Sequence, residues 1–180
     1  VFNGNRFAEA LRAAKDPEGA TIFAYYVPNP TSFGVVEFDA DGRAISLEEK
    51  PSKPRSHYAV PGVYFYDSSV VDVAKGVKPS ARGELEITSV NEEYLNRGKL
   101  SVVTLDSDTD WFDTGLPESL LEAANAVAKY QRDTDRLLGS PEAEAYRAGL
   151  ITKEELLALA EKLKKSTYGQ ALITLATEGR

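Results

Sequence analysis

The sequence predicts an α/β protein that ends in a helical segment. Between residues 1 and 139, short runs rich in β-branched and aromatic residues are mixed with runs of helical hydrophobic spacing, and a hairpin pattern is inserted among them. This mixture is typical of the α/β class. From Ser140 onward no strand pattern remains. We therefore predict one domain portion over residues 1–139 and a helical tail over residues 140–180.

The first elements follow from hydrophobic spacing and turn residues. Apolar residues at helical spacing predict a helix over residues 5–15, and the β-branched and aromatic run 21–27 predicts a strand. Two further runs, 35–38 and 44–47, flank the sequence Asp39-Ala40-Asp41-Gly42. Because Gly42 accepts a positive φ, we expect these runs to form a β-hairpin.

The later elements alternate between strands and helices. The aromatic run 58–66 predicts one nearly continuous strand that is buried on both faces. Helical spacing predicts helices over 67–75 and 83–96, and a strand follows at 100–105. The proline at position 117 suits the first turn of a long helix over 117–136.

The tail carries three helix-start patterns. Ser140-Pro141 predicts the first helix, and Thr152-Lys153-Glu154-Glu155 is a capping-box pattern that predicts the second. A last short helix is expected over 167–176. We expect such a helical tail to pack on its own domain or on a neighbouring subunit.

Composition excludes several classes of function. The formal net charge of −7 argues against a nucleic acid polymer as partner, because recognition of its backbone needs clustered Lys and Arg. The chain has no Cys and only one His, His57, which excludes disulfides, thiolate metal sites and multi-histidine metal sites. No apolar run approaches the roughly 18 residues that span a membrane. We read no signal-peptide pattern at the start and expect a cytoplasmic protein.

One tetrapeptide, Glu48-Glu49-Lys50-Pro51, combines two chemistries at the end of a predicted strand. A carboxylate accepts hydrogen bonds from sugar hydroxyls, and an adjacent ammonium pairs with a phosphate. Together these groups would suit a sugar phosphate. Taken alone, the tetrapeptide favours the simpler interpretation, a solvated strand end that runs into a proline turn.

Three other residues are candidates for the same chemistry. Arg82 precedes a predicted helix N-terminus, a natural place for a phosphate contact, although it could be a plain surface Arg. Gly34 precedes a strand and permits close approach of the backbone to a ligand, or else serves as a turn residue. Asp113 follows a strand and precedes a helix, so it is a candidate Mg²⁺ ligand; the alternative is an ordinary turn residue.

Taken in order, five segments resemble one family, the sugar-phosphate nucleotidyltransferases. The segments are Phe33-Gly34-Val35-Val36-Glu37-Phe38, Leu47-Glu48-Glu49-Lys50-Pro51, the run 58–66, Arg82-Gly83-Glu84-Leu85-Glu86-Ile87-Thr88 and Trp111-Phe112-Asp113-Thr114-Gly115. The similarity runs over essentially the whole chain. It implies a Rossmann-like mixed sheet between helices.

The resemblance implies a role for each matching residue. Glu49 would hydrogen-bond the sugar hydroxyls, and Gly34 and Val60 would contact the sugar through their backbone. Lys50 and Arg82 would hold phosphate groups and act as the catalytic cations. On an alternating strand, Glu48 should point to the face opposite Glu49.

The last segments resemble family members that join glucose 1-phosphate to dTTP, giving dTDP-glucose and pyrophosphate. Asp113 would then be one of two Asp ligands of Mg²⁺, and the protein would be a homotetramer, often inhibited by a dTDP-sugar. The phosphate of the sugar is already an ionised nucleophile, so no proton-transfer residue is needed. This agrees with a chain that offers no Cys and no arrangement of catalytic His.

The family's Gly-rich triphosphate loop and its Gly-Asp-Asn are not found in this sequence. Val1-Phe2-Asn3-Gly4 resembles the stretch that follows that Gly-Asp-Asn. We therefore expect roughly a hundred further residues before Val1 in a complete enzyme, with this chain supplying the acceptor half of the site and being inactive alone. Two alternatives stay open: a non-catalytic sugar-phosphate-binding or assembly module, and the same reaction with UTP or ATP.

Overall fold

The computed structural model describes residues 1–106 and 108–179, and these residues form two compact units. The first unit comprises Val1–Trp111, and the second begins at Phe112. Each unit is described by itself below. The predicted tail, 140–180, supplies the last three helices of the second unit, and its separation from the residues before it stays a prediction.

The first unit contains eight strands and three helices in the described residues. The strands are β1 (Phe2–Asn3), β2 (Ala20–Tyr26), β3 (Gly34–Phe38), β4 (Ala44–Glu49), β5 (Tyr58–Val60), β6 (Tyr64–Tyr66), β7 (Leu100–Thr104) and β8 (Asp110–Trp111). The helices are α1 (Asn5–Ala14), α2 (Val70–Gly76) and α3 (Ile87–Asn96).

Six of these strands form one mixed sheet, with β2 at its centre. The order along the sheet is β4-β3-β5-β2-β6, and β7 pairs with β2 in parallel. The other pairs within this sheet are antiparallel. The predicted hairpin over 35–38 and 44–47 is confirmed as β3 and β4. A separate two-stranded ladder joins β1 to β8.

Helices cover both faces of the sheet because β2 alternates its side chains. Ile22 packs with Val36 and Leu47 on one face, the same face against which α2 and α3 lie. Phe23 points to the other face and packs with Ala14 at the end of α1. The α/β class predicted from the sequence is thus confirmed within this unit.

The predicted continuous strand over 58–66 is wrong, because two short strands occur there. Pro61, which is fully buried, has no backbone N–H to donate to a ladder. The chain turns at this point, and the Val63 N–H donates to the Pro61 carbonyl at 2.7 Å. β5 and β6 consequently pair with opposite ends of β2. The residues of β6 are half-buried rather than buried on both faces.

Helix α3 begins at Ile87, four residues after its predicted start. The preceding residues form a tight turn in which the Gly83 N–H donates to the Ser80 carbonyl at 2.9 Å, and the Ser80 N–H donates to the Glu84 carbonyl at 2.8 Å. Gly83 has a φ of +77°, which glycine adopts without a steric penalty. The turn holds Arg82 just outside the helix.

The regular elements of the second unit, in its described residues, are all helices. Its helices are α4 (Pro117–Thr134), α5 (Pro141–Arg147), α6 (Lys153–Glu161) and α7 (Thr167–Glu178). The predicted capping box is confirmed, since the Thr152 hydroxyl accepts from the Glu155 N–H at 3.2 Å and Glu155 accepts from the Thr152 N–H at 2.7 Å. The described chain contains no helix with the length and apolarity required to cross a membrane.

A small apolar core holds the last three helices together. Its members come from α5, α6 and α7 and comprise Ala143, Leu156, Ala160, Leu172, Leu175 and Ala176. Gly169 in α7 lies where the chain leaves α6, and a Cβ built there would come within 2.1 Å of the Leu163 carbonyl oxygen. Only glycine allows this close approach.

We expect Gly169→Ala to destabilise the second unit by about 1–3 kcal/mol, the usual cost of overpacking a close contact. Chemical denaturation followed by circular dichroism measures this change. Thr167→Ala, at an exposed position in the same helical turn, is the matched control and should change the free energy of unfolding by less than about 0.5 kcal/mol. Equal stability of the two variants would show that the close approach is not tight.

Candidate active site

Three of the predicted site residues lie side by side across the sheet. Gly34 pairs with Glu49 of β4 on one side and with Val60 of β5 on the other. Directly opposed residues of neighbouring strands place their side chains on the same face. Glu49 and Val60 therefore flank a position that has no side chain.

The missing side chain at Gly34 leaves space that its neighbours bound closely. A Cβ at this buried residue would lie 3.0 Å from the Thr88 Oγ1 and 3.2 Å from the Glu49 Oε2. The backbone conformation at Gly34 is ordinary for a strand, so the constraint is steric and not conformational. Glycine here permits the close approach of a hydroxyl and a carboxylate of the protein itself, and a backbone contact of Gly34 with a ligand stays a prediction.

The Glu49 carboxylate is the centre of this site. Its Oε2 accepts a hydrogen bond of 2.5 Å from the Thr88 hydroxyl. Its Oε1 lies 4.0 Å from both the Lys50 Nζ and the Arg82 Nη1. One oxygen is thus held by the protein, whereas the other faces two cations across a gap that is longer than a hydrogen bond.

Lys50 leaves the strand with an unusual backbone conformation. Its φ is +45°, which is uncommon for a residue other than glycine and costs about 1–3 kcal/mol. The Lys50 N–H donates to the Phe33 carbonyl at 2.9 Å, and a buried Pro51 follows. The sharp turn directs a side chain that is 43% exposed beside the Glu49 carboxylate.

Arg82 is surrounded by three carboxylates. Its guanidinium nitrogens lie 3.1 Å from Glu84, 3.7 Å from Glu86 and 4.0 Å from Glu49. Because the Arg82 side chain is 41% exposed, each pair contributes only about 0–1 kcal/mol. An anionic ligand can therefore replace these partners at low cost.

The alternation of β4 places Glu48 on the face opposite Glu49. Glu48 pairs across the hairpin with Val35, whereas Glu49 pairs with Gly34. Glu48 is exposed. The predicted opposite orientation of the two acids is confirmed, and Glu49 is the one that joins the cluster; its contact with a sugar stays a prediction.

Sequence reasoning assigned no role to two residues at this site, Thr88 and Tyr64. Thr88 is the buried second residue of α3 and supplies the hydroxyl that holds Glu49. Burial raises the pKa of the Tyr64 phenol, and the negative charge of Glu49 raises it further. The available signal was the helical spacing of Thr88, Asn91 and Tyr94, which places three polar groups on one buried helix face.

An aromatic cluster adjoins the start of β3. The Trp111 ring lies 5.0 Å from that of Phe33, the residue before Gly34, and 5.7 Å from that of Tyr25. Tyr25 and Phe33 thus anchor the last residue of the first unit. The sheet residues near Gly34 have an aromatic neighbourhood in addition to their charged groups.

Asp113 belongs to the second unit and is therefore described apart from the sheet residues. Its side chain is exposed. A Cβ built at Gly115 would make only ordinary van der Waals contact with the Asp113 carboxylate, at 3.6–3.7 Å. No group of three or more potential metal-ligating residues occurs within the described residues. A single open carboxylate fits Mg²⁺, which commonly takes one or two carboxylates and fills its other positions with phosphate oxygens and water.

A cavity of about 560 Å³ lies elsewhere, in the second unit, between the end of α4 and the start of α7. None of the six predicted site residues lines it. Its volume suits a small molecule, but its two arginines, Arg132 and Arg136, are exposed at the surface. The candidate site is instead the cluster of charged groups around Gly34, because several chemically matched side chains converge there.

Known proteins resemble this chain over most of its length. Residues 1–130 match the family described as nucleotidyl transferase. Over 175 residues the chain is 51% identical to the glucose-1-phosphate thymidylyltransferase of Mycolicibacterium smegmatis, an alignment that covers 97% of this chain and 61% of the relative. The chain thus spans about 61% of the length of that curated relative.

Solved structures show the same architecture. A crystal structure assigned as a glucose-1-phosphate thymidylyltransferase from Bacillus anthracis, in complex with sucrose, is 39% identical with a TM-score of 0.60, covering 78% of this chain and 53% of that one. A UDP-glucose pyrophosphorylase bound to UDP-glucose has a TM-score of 0.57 at 20% identity, and the match covers 69% of this chain and 49% of that one. This likeness shows the fold alone. The Rossmann-like α/β fold is confirmed, and the chain belongs to the nucleotidyl transferase family.

Proposed function

We propose that this chain supplies the sugar-phosphate half of a glucose-1-phosphate thymidylyltransferase site. The reaction transfers a nucleotidyl group from dTTP to glucose 1-phosphate and yields dTDP-glucose and pyrophosphate. The observation that carries the proposal is the side-chain-free position at Gly34, flanked by Glu49 and Val60 and adjoined by two cations. Such a site combines an uncovered stretch of backbone with a carboxylate for sugar hydroxyls and two cations for a phosphate.

Each group has a role in this proposal. Glu49 accepts hydrogen bonds from sugar hydroxyls, since its Oε1 is free of a close protein donor in the described residues. Gly34 and Val60 contact the sugar through their backbone. Lys50 and Arg82 are the catalytic cations: they hold phosphate groups and offset the negative charge that accumulates in the transition state.

The chemical step requires positioning and charge compensation. A phosphate oxygen of glucose 1-phosphate attacks the α-phosphorus of dTTP in line, and the bond to pyrophosphate breaks. The nucleophile is already ionised, so no side chain must take a proton. The lone histidine, His57, is not needed as a base in this step. Its Nδ1 lies 3.1 Å from the Pro28 carbonyl oxygen, so the ring contacts the backbone.

Asp113 is proposed as one carboxylate ligand of Mg²⁺. When bound, the metal would neutralise phosphate charge and help to orient the phosphates. We further propose that the protein acts in the cytoplasm as a homotetramer, in which the helical tail, 140–180, packs on its own domain or a neighbouring subunit. The curated relative that is 51% identical is named a thymidylyltransferase, which supports transfer of a thymidylyl group rather than a uridylyl or adenylyl group.

A non-catalytic sugar-phosphate-binding module is the second candidate, since the charged cluster binds its ligand without any contribution to nucleotide chemistry. Incubation of a complete enzyme that contains this chain with glucose 1-phosphate, dTTP and Mg²⁺ separates the two functions, because this chain alone is expected to be inactive. Pyrophosphate release at enzymatic rates would eliminate the binding module. Parallel reactions with UTP and ATP report the choice of base.

We expect Glu49→Gln to weaken glucose 1-phosphate binding by about tenfold or more, because a hydrogen bond to a charged group contributes about 1.5–3 kcal/mol. Isothermal titration calorimetry measures the Kd. Binding of inorganic phosphate should not weaken, since the lost negative charge repels an anion and competes with it for Lys50 and Arg82. Glu48→Gln, with the same charge change on the opposite face, is the control and should bind like the unmodified chain. Equal effects of the two substitutions would contradict the assignment of Glu49.

We expect Glu84→Gln to tighten inorganic phosphate binding by about 1.4- to fivefold, since it frees Arg82 from an exposed partner worth about 0.2–1 kcal/mol. Calorimetric titration at low ionic strength gives the affinity, and the gain should shrink as salt is added. Glu93→Gln removes an equal charge from a surface pair with Arg97 and controls for net charge. Unchanged affinity in Glu84→Gln, or an equal gain in Glu93→Gln, would show that Glu84 does not compete with the ligand.

A further inference from the structure

Helix α3 presents three polar side chains to the sheet at intervals of three residues. Thr88, Asn91 and Tyr94 are all buried, with exposures of 5%, 1% and 0%. We call these three residues the polar seam. A buried polar group without a partner is costly, so each member of the seam must find a partner on the sheet side.

Each member of the seam bonds a different element. The Thr88 hydroxyl donates to Glu49 at the end of β4, at 2.5 Å. The Tyr66 hydroxyl of β6 donates to the Asn91 Oδ1, also at 2.5 Å. The Tyr94 hydroxyl donates to the Asp67 Oδ1 at 3.1 Å.

The tyrosine rings reinforce the middle bond. The Tyr64 and Tyr66 rings stack with centroids 6.0 Å apart and planes inclined by 17°. The Tyr66 and Tyr94 rings stack at 5.6 Å and 28°. Tyr66 is therefore clamped between one ring from its own strand and one from α3, so its hydroxyl has little freedom to leave Asn91.

We propose that Tyr66 and Asn91 are positioning residues for the sugar-binding carboxylate, acting through the rotation of α3. This proposal rests on the function assigned above to Glu49. Thr88 and Asn91 are one helical turn apart on the same face. The bond from Tyr66 to Asn91 fixes how α3 is turned about its axis, and that rotation decides whether the Thr88 hydroxyl stays within hydrogen-bond distance of Glu49.

The other end of the seam does not share this role. Tyr94 lies two turns from Thr88, and its partner Asp67 is also held by the Ser69 hydroxyl at 2.5 Å and the Ser69 N–H at 2.9 Å. When the Tyr94 hydroxyl is removed, the hydrogen bond from Tyr66 to Asn91 remains, and Asn91 lies between Tyr94 and the Thr88 that holds Glu49. Tyr94→Phe is consequently a matched control for Tyr66→Phe: each variant loses one hydrogen-bonded hydroxyl and keeps its ring.

The test measures glucose 1-phosphate and inorganic phosphate binding to the full 180-residue chain by calorimetry. Tyr66→Phe should weaken glucose 1-phosphate binding by about three- to tenfold, since the charged hydrogen bond from Thr88 to Glu49 is loosened and not removed. Its phosphate affinity should stay within twofold. Tyr94→Phe should keep both affinities, although both variants melt at a lower temperature. Asn91→Leu should reproduce Tyr66→Phe, and the double variant should be no weaker than either, because both remove one bond.

A second readout needs no ligand. The ¹³C chemical shift of the Glu49 side-chain carboxyl, assigned by NMR, should change in Tyr66→Phe and not in Tyr94→Phe. If the unmodified chain binds phosphate but not glucose 1-phosphate, the proposed function fails, and this shift alone decides the positioning role. Equal behaviour of the two Phe variants in affinity and in the Glu49 shift would overturn the inference.

Discussion

The hydrogen bond from the Thr88 hydroxyl to the Glu49 carboxylate is the interaction on which the candidate site depends. It joins the first turn of α3 to the end of β4 through two residues that lie 39 positions apart in sequence. A side chain at Gly34 would intrude on both partners. One constraint therefore links Gly34, the short hydrogen bond and the sharp turn at Lys50. Together they hold the Glu49 carboxylate at the end of β4, with Oε2 bonded to Thr88 and Oε1 without a close donor in the described residues.

Charge explains how an acidic chain can present a site for a phosphate. The formal net charge is −7, but binding a small anion requires only local cations. Lys50 and Arg82 provide them, and both contact acids of the cluster. These partners keep the cations in place before a ligand arrives, and because Arg82 is exposed, its ion pairs are weak enough to be exchanged. In the proposed function, specificity for a sugar phosphate would come from Glu49, because its carboxylate accepts hydrogen bonds from hydroxyl groups.

Local patterns were sufficient for much of the fold. The hairpin of β3 and β4 could be predicted because its turn residues lie between its strands, and the alternation of β4 then separated Glu48 from Glu49. The break at Pro61 was harder, because the flanking aromatic residues suit a strand and only the pairing with both ends of β2 reveals the division. The start of α3 was misplaced for a similar reason, since the turn hydrogen bonds around Gly83 compete with the helix.

The residues of the site could be identified in large part only through family resemblance. Spacing alone left Gly34, Arg82 and Asp113 with ordinary alternatives. The contact between Thr88 and Glu49 depends on how α3 lies across the sheet, and no short-range pattern encodes that placement. The polar spacing of Thr88, Asn91 and Tyr94 does indicate that this helix face must meet polar partners, but the identity of those partners is a property of the tertiary structure.

An NMR titration of the ¹⁵N-labelled chain with glucose 1-phosphate tests the central claim most directly. The account predicts that the largest amide shifts occur at Gly34, Glu49, Lys50, Val60 and Arg82, and that all of them follow one saturable curve. Shifts confined to other residues, such as those around the cavity between α4 and α7, or no saturable shifts at Gly34 and Glu49, would contradict the account.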